Sequence, residues 1–156
     1  MTANDQELLR RAAREFRKAV EERGPFPGTF AGLRGFPKGC CKHASFLLAR
    51  VLDLEFGIDE SDYVWGTAKD GVQGTHGWLE CRGSVVDVTA DQFPGVGSRV
   101  MIVECGKSVF HDEFHIESRD SYPRFWHGMK ARARVDFEST LRTLISQMQK
   151  DRPGPG

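Results

Sequence analysis

Apolar residues recur at steps of three and four along the first part of the chain. Leu8, Leu9, Ala12, Ala13, Phe16 and Val20 keep a 3.6-residue period, and Asn4 or Asp5 can cap the run. The pattern predicts a first helix ending near Glu22. Ala44, Leu47, Leu48, Val51 and Leu52 form a second stripe, predicting a helix from near Cys40 to about Glu55, stopped by Gly57. Phe137, Leu141, Leu144, Ile145 and Met148 predict a third helix from about Asp136 to Lys150.

Between the second and third helices the pattern changes. "DYVWGTA", "GTHGWLEC", "SVVDVTA" and "SRVMIVEC" are short runs rich in β-branched and aromatic residues, and they predict four strands. Arg82-Gly83 joins the second to the third as a tight turn. The polar and aromatic stretch from Phe110 to Tyr122 carries no clear period and is left unassigned. Arg23 to Gly39 is rich in Gly and Pro and reads as a loop, with Phe26, Phe30, Leu33 and Phe36 folded onto the core. Helices, then a strand meander, then a helix predict an α+β fold with an antiparallel sheet. One domain over residues 1–150 and a frayed tail, "DRPGPG", account for the chain.

Composition narrows the function. The 156 residues hold 22 basic and 22 acidic side chains, so no net field draws the protein to nucleic acid or to an anionic membrane. No apolar run is long enough to span a bilayer, and the charged N-terminus has no signal-peptide core. The expected compartment is a reducing cytoplasm. Cys40, Cys41, Cys81 and Cys105 follow no disulfide or Cys-x-x-Cys spacing and read as free thiols.

The candidate chemistry lies in the hairpin and the second helix. A two-residue turn at Arg82-Gly83 places Trp78 opposite Asp87 and His76 opposite Thr89. Side chains alternate along a strand, so His76 and Asp87 share a face, about 7–8 Å apart on the diagonal. A carboxylate accepting the imidazole Nδ1–H would orient the ring and leave its other nitrogen to serve a nucleophile. That nucleophile is expected on the same side of the sheet. A cysteine at a helix start meets unpaired N–H groups and the positive end of the helix dipole, both of which favour thiolate. On a helical wheel Cys40 and Cys41 flank the apolar stripe by roughly 50° each, so helix geometry leaves both open.

"GCCKHAS", then "HGWLE", then "DVT" followed by "ADQF" resemble the transglutaminase-like branch of the papain-like cysteine enzymes over Phe36 to Phe93. The resemblance implies a papain/transglutaminase-like core, with a nucleophile helix packed on an antiparallel sheet. It implies Cys41 as nucleophile, although the spacing of transglutaminases proper would pick Cys40. It implies His76 as base and Asp87 as its orienting acid. Gly77 replaces a frequent Ala, which reads as a harmless change. The Gln that often supports the oxyanion upstream has no counterpart; Gln73 is a weak substitute.

Each residue also has a plainer reading. The cysteines could be small packed groups, His76 a structural histidine and Asp87 a hairpin helper. Their order and joint placement favour catalysis. Trp78 is expected in the core or over the site, and Cys81 and Cys105 are expected to be packed. His111 and His115 stand four apart but lack the HExxH order; a metal-dependent hydrolase, with Cys105 or His127 as a further ligand, is the lesser alternative. The basic run Met129 to Arg134 reads as solvated surface. The sequence thus predicts a cysteine peptidase, amidase or transglutaminase-like acyl transferase acting on a peptide or protein, without metal or organic cofactor. A binding module that keeps the fold without the chemistry is the non-enzyme alternative.

Overall fold

The computed structural model describes residues 2–24 and 33–154; the expected core positions Phe26 and Phe30 lie outside them. Helix α1 spans Ala3–Arg23 and α2 Cys41–Phe56. Strands β1 (Ser61–Ala68), β2 (Thr75–Cys81), β3 (Ser84–Asp87) and β4 (Met101–Glu104) follow, with a 3-10 turn at Ala90–Gln92 between the last two. Then come α3 (Val109–Asp112), β5 (Phe114–Ser121), α4 (Tyr122–His127) and α5 (Ala131–Asp151). The strands form one antiparallel sheet in the order β4-β3-β2-β1-β5. The fold is α+β, as the patterning predicts. No helix among the described residues is long and apolar enough to cross a membrane.

Local chemistry sets the element ends. Helix α1 is capped by Thr2, one turn earlier than expected. The Thr2 hydroxyl accepts from the Asp5 N–H at 3.1 Å while the Asp5 carboxylate accepts from the Thr2 N–H at 3.1 Å. Asp5 is therefore the reciprocal partner in the cap. Helix α5 starts five residues before the expected position. At its far end Arg152 donates to Glu15 at 2.9 Å and Glu55 at 3.0 Å, so the expected frayed tail is tied down there. In the basic run, Arg134 donates to the carbonyls of Trp126, His127 and Met129 and closes the end of α4.

The β2–β3 hairpin forms in the expected register. Leu79 pairs with Val86, Glu80 with Val85 and Cys81 with Ser84. Arg82 and Gly83 both have positive φ, 49° and 75°, the combination that suits the twist of a two-residue hairpin turn. The β2–β3 ladder stops at Leu79–Val86, however, short of the expected Trp78–Asp87 pair, and β3 itself ends at Asp87, opposite Met101 of β4. Thr89 does not pair with His76; the chain leaves the sheet there and turns through Ala90–Gln92.

Two apolar layers flank the sheet. Leu9, Phe16, Leu47, Leu48, Val51, Leu141 and Leu144 from the long helices pack against Tyr63, Leu79, Cys81 and Val86. On the other face Val64, Trp78, Val85 and Phe114 form a second cluster, closed by Phe93 and Phe110. Strand β5, an edge strand within the unassigned stretch, is exposed at most positions after Phe114.

Candidate active site

Cys40 is the residue before α2 and Cys41 its first residue. The Cys40 thiol is buried and donates to the carbonyls of Lys38 at 3.2 Å and Arg34 at 3.5 Å. Burial, then the neighbouring Cys41, pushes it up to about 11. Cys40 is a structural thiol that fastens the loop ahead of the helix. Cys41 is half-buried, and its thiol is near enough to the His76 ring to help raise that ring's pKa. The structure thus separates two neighbours that the helical wheel leaves equivalent.

His76 and Asp87 are 0% and 2% exposed, and His76 Nε2 lies 2.6 Å from Asp87 Oδ2. The carboxylate therefore takes Nε2, the reverse of the expected Nδ1 contact. Nδ1 is left free of the carboxylate, with the Gln92 Nε2 3.5 Å away. The side of approach is also reversed. His76 shares the Trp78 face by strand alternation, and its ring meets Trp78, Phe93, Phe110 and Phe114 there. Helix α2 packs on the opposite face. His76 stands near the start of β2, ahead of the first β2–β3 pair at Leu79.

Asp87 has four hydrogen bonds. Oδ1 accepts from the Thr89 N–H at 2.9 Å and faces the Thr89 hydroxyl at 3.3 Å; Oδ2 accepts from His76 and, at 2.8 Å, from His111 Nε2. Burial alone would raise this carboxyl. The charge on His76 and the hydrogen bonds from His111 and His76 outweigh it and hold the group well below the ordinary carboxylate range. Burial likewise pulls His76 down, but the Asp87 charge and hydrogen bond, with the Cys41 contact, push it up to about 9. The ring next to the thiol is then an imidazolium at neutral pH.

Sequence reasoning singled out His111 only as a metal ligand beside His115, missing its contact with Asp87, and it missed Gln92. His111 lies in the one-turn helix α3, which Ser108 caps by accepting the His111 N–H at 3.3 Å. The Ser108 hydroxyl lies 2.5 Å from His111 Nδ1 and sets Nε2 as the donor to Asp87. The expected pair with His115 does not form: His115 is exposed on edge strand β5, opposite Thr67. Gln92 lies within the "ADQF" run that follows Thr89. Its Nε2 donates to Thr89 O at 3.0 Å and its Oε1 accepts the Gly39 N–H at 3.3 Å, linking the loop before α2 to the segment after β3. Gln73, the sequence-level guess for an oxyanion donor, is exposed in the β1–β2 connection, its N–H bonded to Asp70. Cys81 is packed as expected, whereas Cys105 is exposed.

His76, Asp87 and His111 have ligand-type atoms within 4.8 Å of one another. Hydrogen bonding already accounts for these contacts: both Nε2–H groups end on one carboxylate oxygen, and the Trp78, Phe93, Phe110 and Phe114 rings surround them. No polar atom of the three is left without a partner, so the donor set does not call for an ion.

A cavity of about 1070 Å³ lies against the first turn of α2. Gly39 and Lys42, on either side of the two cysteines, line it together with Phe46, Tyr63, Trp65 and Phe125. Lys42, Arg124, Asp120 and Asp136 add charge of both signs to the wall. No family model, curated protein or solved structure matches the chain.

Proposed function

We propose that the protein is a cysteine-dependent acyl-transfer enzyme, a peptidase or amidase in the first instance, built on a papain/transglutaminase-like arrangement. The observation that carries this reading is the 2.6 Å contact from Asp87 to His76 Nε2, which leaves Nδ1 free of the carboxylate, in a ring whose pKa Cys41, the first residue of α2, helps to raise. Asp87 orients the ring and stabilises its charged form. The imidazolium and the first-turn N–H groups of α2 favour the Cys41 thiolate. The thiolate attacks an amide carbonyl carbon, the S–C bond forms, and the carbonyl π pair moves to oxygen. His76 then delivers its proton to the leaving nitrogen as the C–N bond breaks, giving a thioester. Water completes hydrolysis; an amine in its place gives transamidation.

The cavity supports a peptide substrate. Its volume exceeds that of a typical small-molecule pocket, and its aromatic wall suits an apolar side chain next to the scissile carbonyl. The test is iodoacetamide alkylation followed across pH. Cys41 is expected to react well below the ordinary thiol range near 8.5, and Cys41→Ala to remove that phase while Cys40→Ala leaves it. Alkylation with an ordinary thiol profile, unaltered by either substitution, defeats the reading. A peptide electrophile followed by mapping of the adduct to Cys41 is the complementary measurement.

A further inference from the structure

We infer that the Tyr63 phenol is the side-chain donor to the oxyanion formed on the acyl group attached to Cys41. The inference rests on the acyl-transfer reading and supplies the group that the sequence leaves unassigned. Tyr63 lies on β1, is 4% exposed, and lines the cavity against the first turn of α2. Its hydroxyl is buried without a hydrogen-bond partner among the described residues. Burial, then the negative charges of Cys41 and Asp120, shifts the phenol upward, so it keeps its proton and can only donate to an anion.

A buried hydroxyl with no partner costs stability, and folded proteins rarely leave one idle. Here the chain makes specific room for it. A Cβ on Gly77, the residue after His76, would stand 2.2 Å from the Tyr63 oxygen. The phenol therefore takes the space of the missing side chain, next to the backbone that carries the catalytic ring. It feels the charge of Cys41 yet makes no hydrogen bond to the sulfur in the resting site. An oxygen one bond from a carbon attached to that sulfur is the acceptor that this reading assigns to the phenol. Gln92, the other nearby candidate, already uses its amide on Thr89 O and its carbonyl on the Gly39 N–H.

In the step itself the phenol transfers no proton. As the Cys41 sulfur adds to the carbonyl carbon, the oxygen gains the π pair and the Tyr63 O–H donates to it. The hydrogen bond is released when the C–N bond breaks and the carbonyl reforms.

Two electrophiles separate this role from others. p-Nitrophenyl acetate acylates a thiol through a tetrahedral oxyanion, whereas iodoacetamide alkylates it by displacement without one. Tyr63→Phe is expected to slow acylation of Cys41 by p-nitrophenyl acetate roughly 100-fold, with the alkylation rate and its pH midpoint unchanged. The thermal midpoint is expected to hold or rise, since an unpartnered hydroxyl has been removed. Unchanged acylation overturns the proposal. So does an equal loss in both reactions, or an alkylation profile moved upward, because either places Tyr63 on the thiolate. A large fall in thermal midpoint overturns it too, by showing the hydroxyl to be a structural bond. If Cys41→Ala leaves both reactions of the wild-type protein untouched, the acyl-transfer reading itself fails and this donor role falls with it.

Discussion

Asp87 is held by two histidines on one oxygen: His111 Nε2 lies 2.8 Å and His76 Nε2 2.6 Å from Oδ2. The second histidine comes from α3, far from the hairpin in sequence, and shares the carboxylate oxygen that orients His76. His111→Leu deletes a hydrogen bond to a buried charge, and a loss of roughly 1.5–3 kcal/mol is expected in urea denaturation. His111→Gln keeps an N–H at a similar reach and is expected to lose less. Equal losses for the two variants would show that His111 acts through packing and not through its donor.

The pH dependence of stability has a definite sign. His76 is pushed up to about 9 in the folded protein, above the unfolded value near 6.5. Its contribution is complete below about pH 6.5 and is lost as pH rises through 9, at up to about 1.4 kcal/mol per pH unit. Asp87 is depressed, so its contribution is present above about pH 4 and lost in acid. Stability is expected to peak between these limits. Asp87→Asn removes the main support for the raised histidine and should flatten the alkaline fall in urea titrations from pH 6 to 9. Comparison with wild type also cancels Cys40 and Cys81, whose raised thiols lower stability only at the alkaline end. The same slope in Asp87→Asn would remove His76 as its source.

The hairpin was legible because its signals are local. The Arg82-Gly83 turn fixes the register, and the register puts His76 and Asp87 on one face. The long helices were legible through their apolar stripes. Edge strand β5 was not, since its exposed positions carry polar residues and no alternation remains to be read. The contact of His111 with Asp87 was missed for the same reason: α3 has one turn and no period. The ring nitrogen that Asp87 takes, and the placing of Thr89 and Gln92 around the pair, depend on where β3 leaves the sheet after Asp87. That departure follows from tertiary contacts to residues 88–99, chiefly those of Arg17, which no local pattern encodes.

Arg17 holds that departing segment from α1. Its buried guanidinium donates to both oxygens of Asp91, at 2.6 and 2.7 Å, and to the carbonyls of Val88 at 3.0 Å and Arg99 at 2.8 Å. Thr89 and Gln92, which touch Asp87 and His76, lie within this span. Arg17→Ala is expected to cost about 3 kcal/mol, near the low end for breaking a buried pair because Asp91 keeps some access to water. Arg17→Lys should recover little, since a point charge cannot reproduce the fork on Asp91 while reaching two carbonyls. Both variants should also slow alkylation of Cys41 as Gln92 and Thr89 loosen. A stable Arg17→Lys with full Cys41 reactivity would show that charge alone suffices.

Gly77, which the sequence presents as a harmless exchange for Ala, is constrained by the structure. Its Cβ would lie 2.2 Å from the Tyr63 oxygen and 2.6 Å from two carbons of the same ring. That ring is wedged against Phe46, with centroids 5.1 Å apart, and has little freedom to withdraw. Gly77→Ala is therefore expected to destabilise the protein by about 1–3 kcal/mol, the usual range for overpacking a filled site. Adding Tyr63→Phe should return only part of the loss, because the ring carbons remain in the way. The double variant in a denaturation cycle measures that coupling. Strict additivity of the two substitutions would mean that the phenol does not occupy the space beside residue 77, and the wall of the candidate site would have to be redrawn.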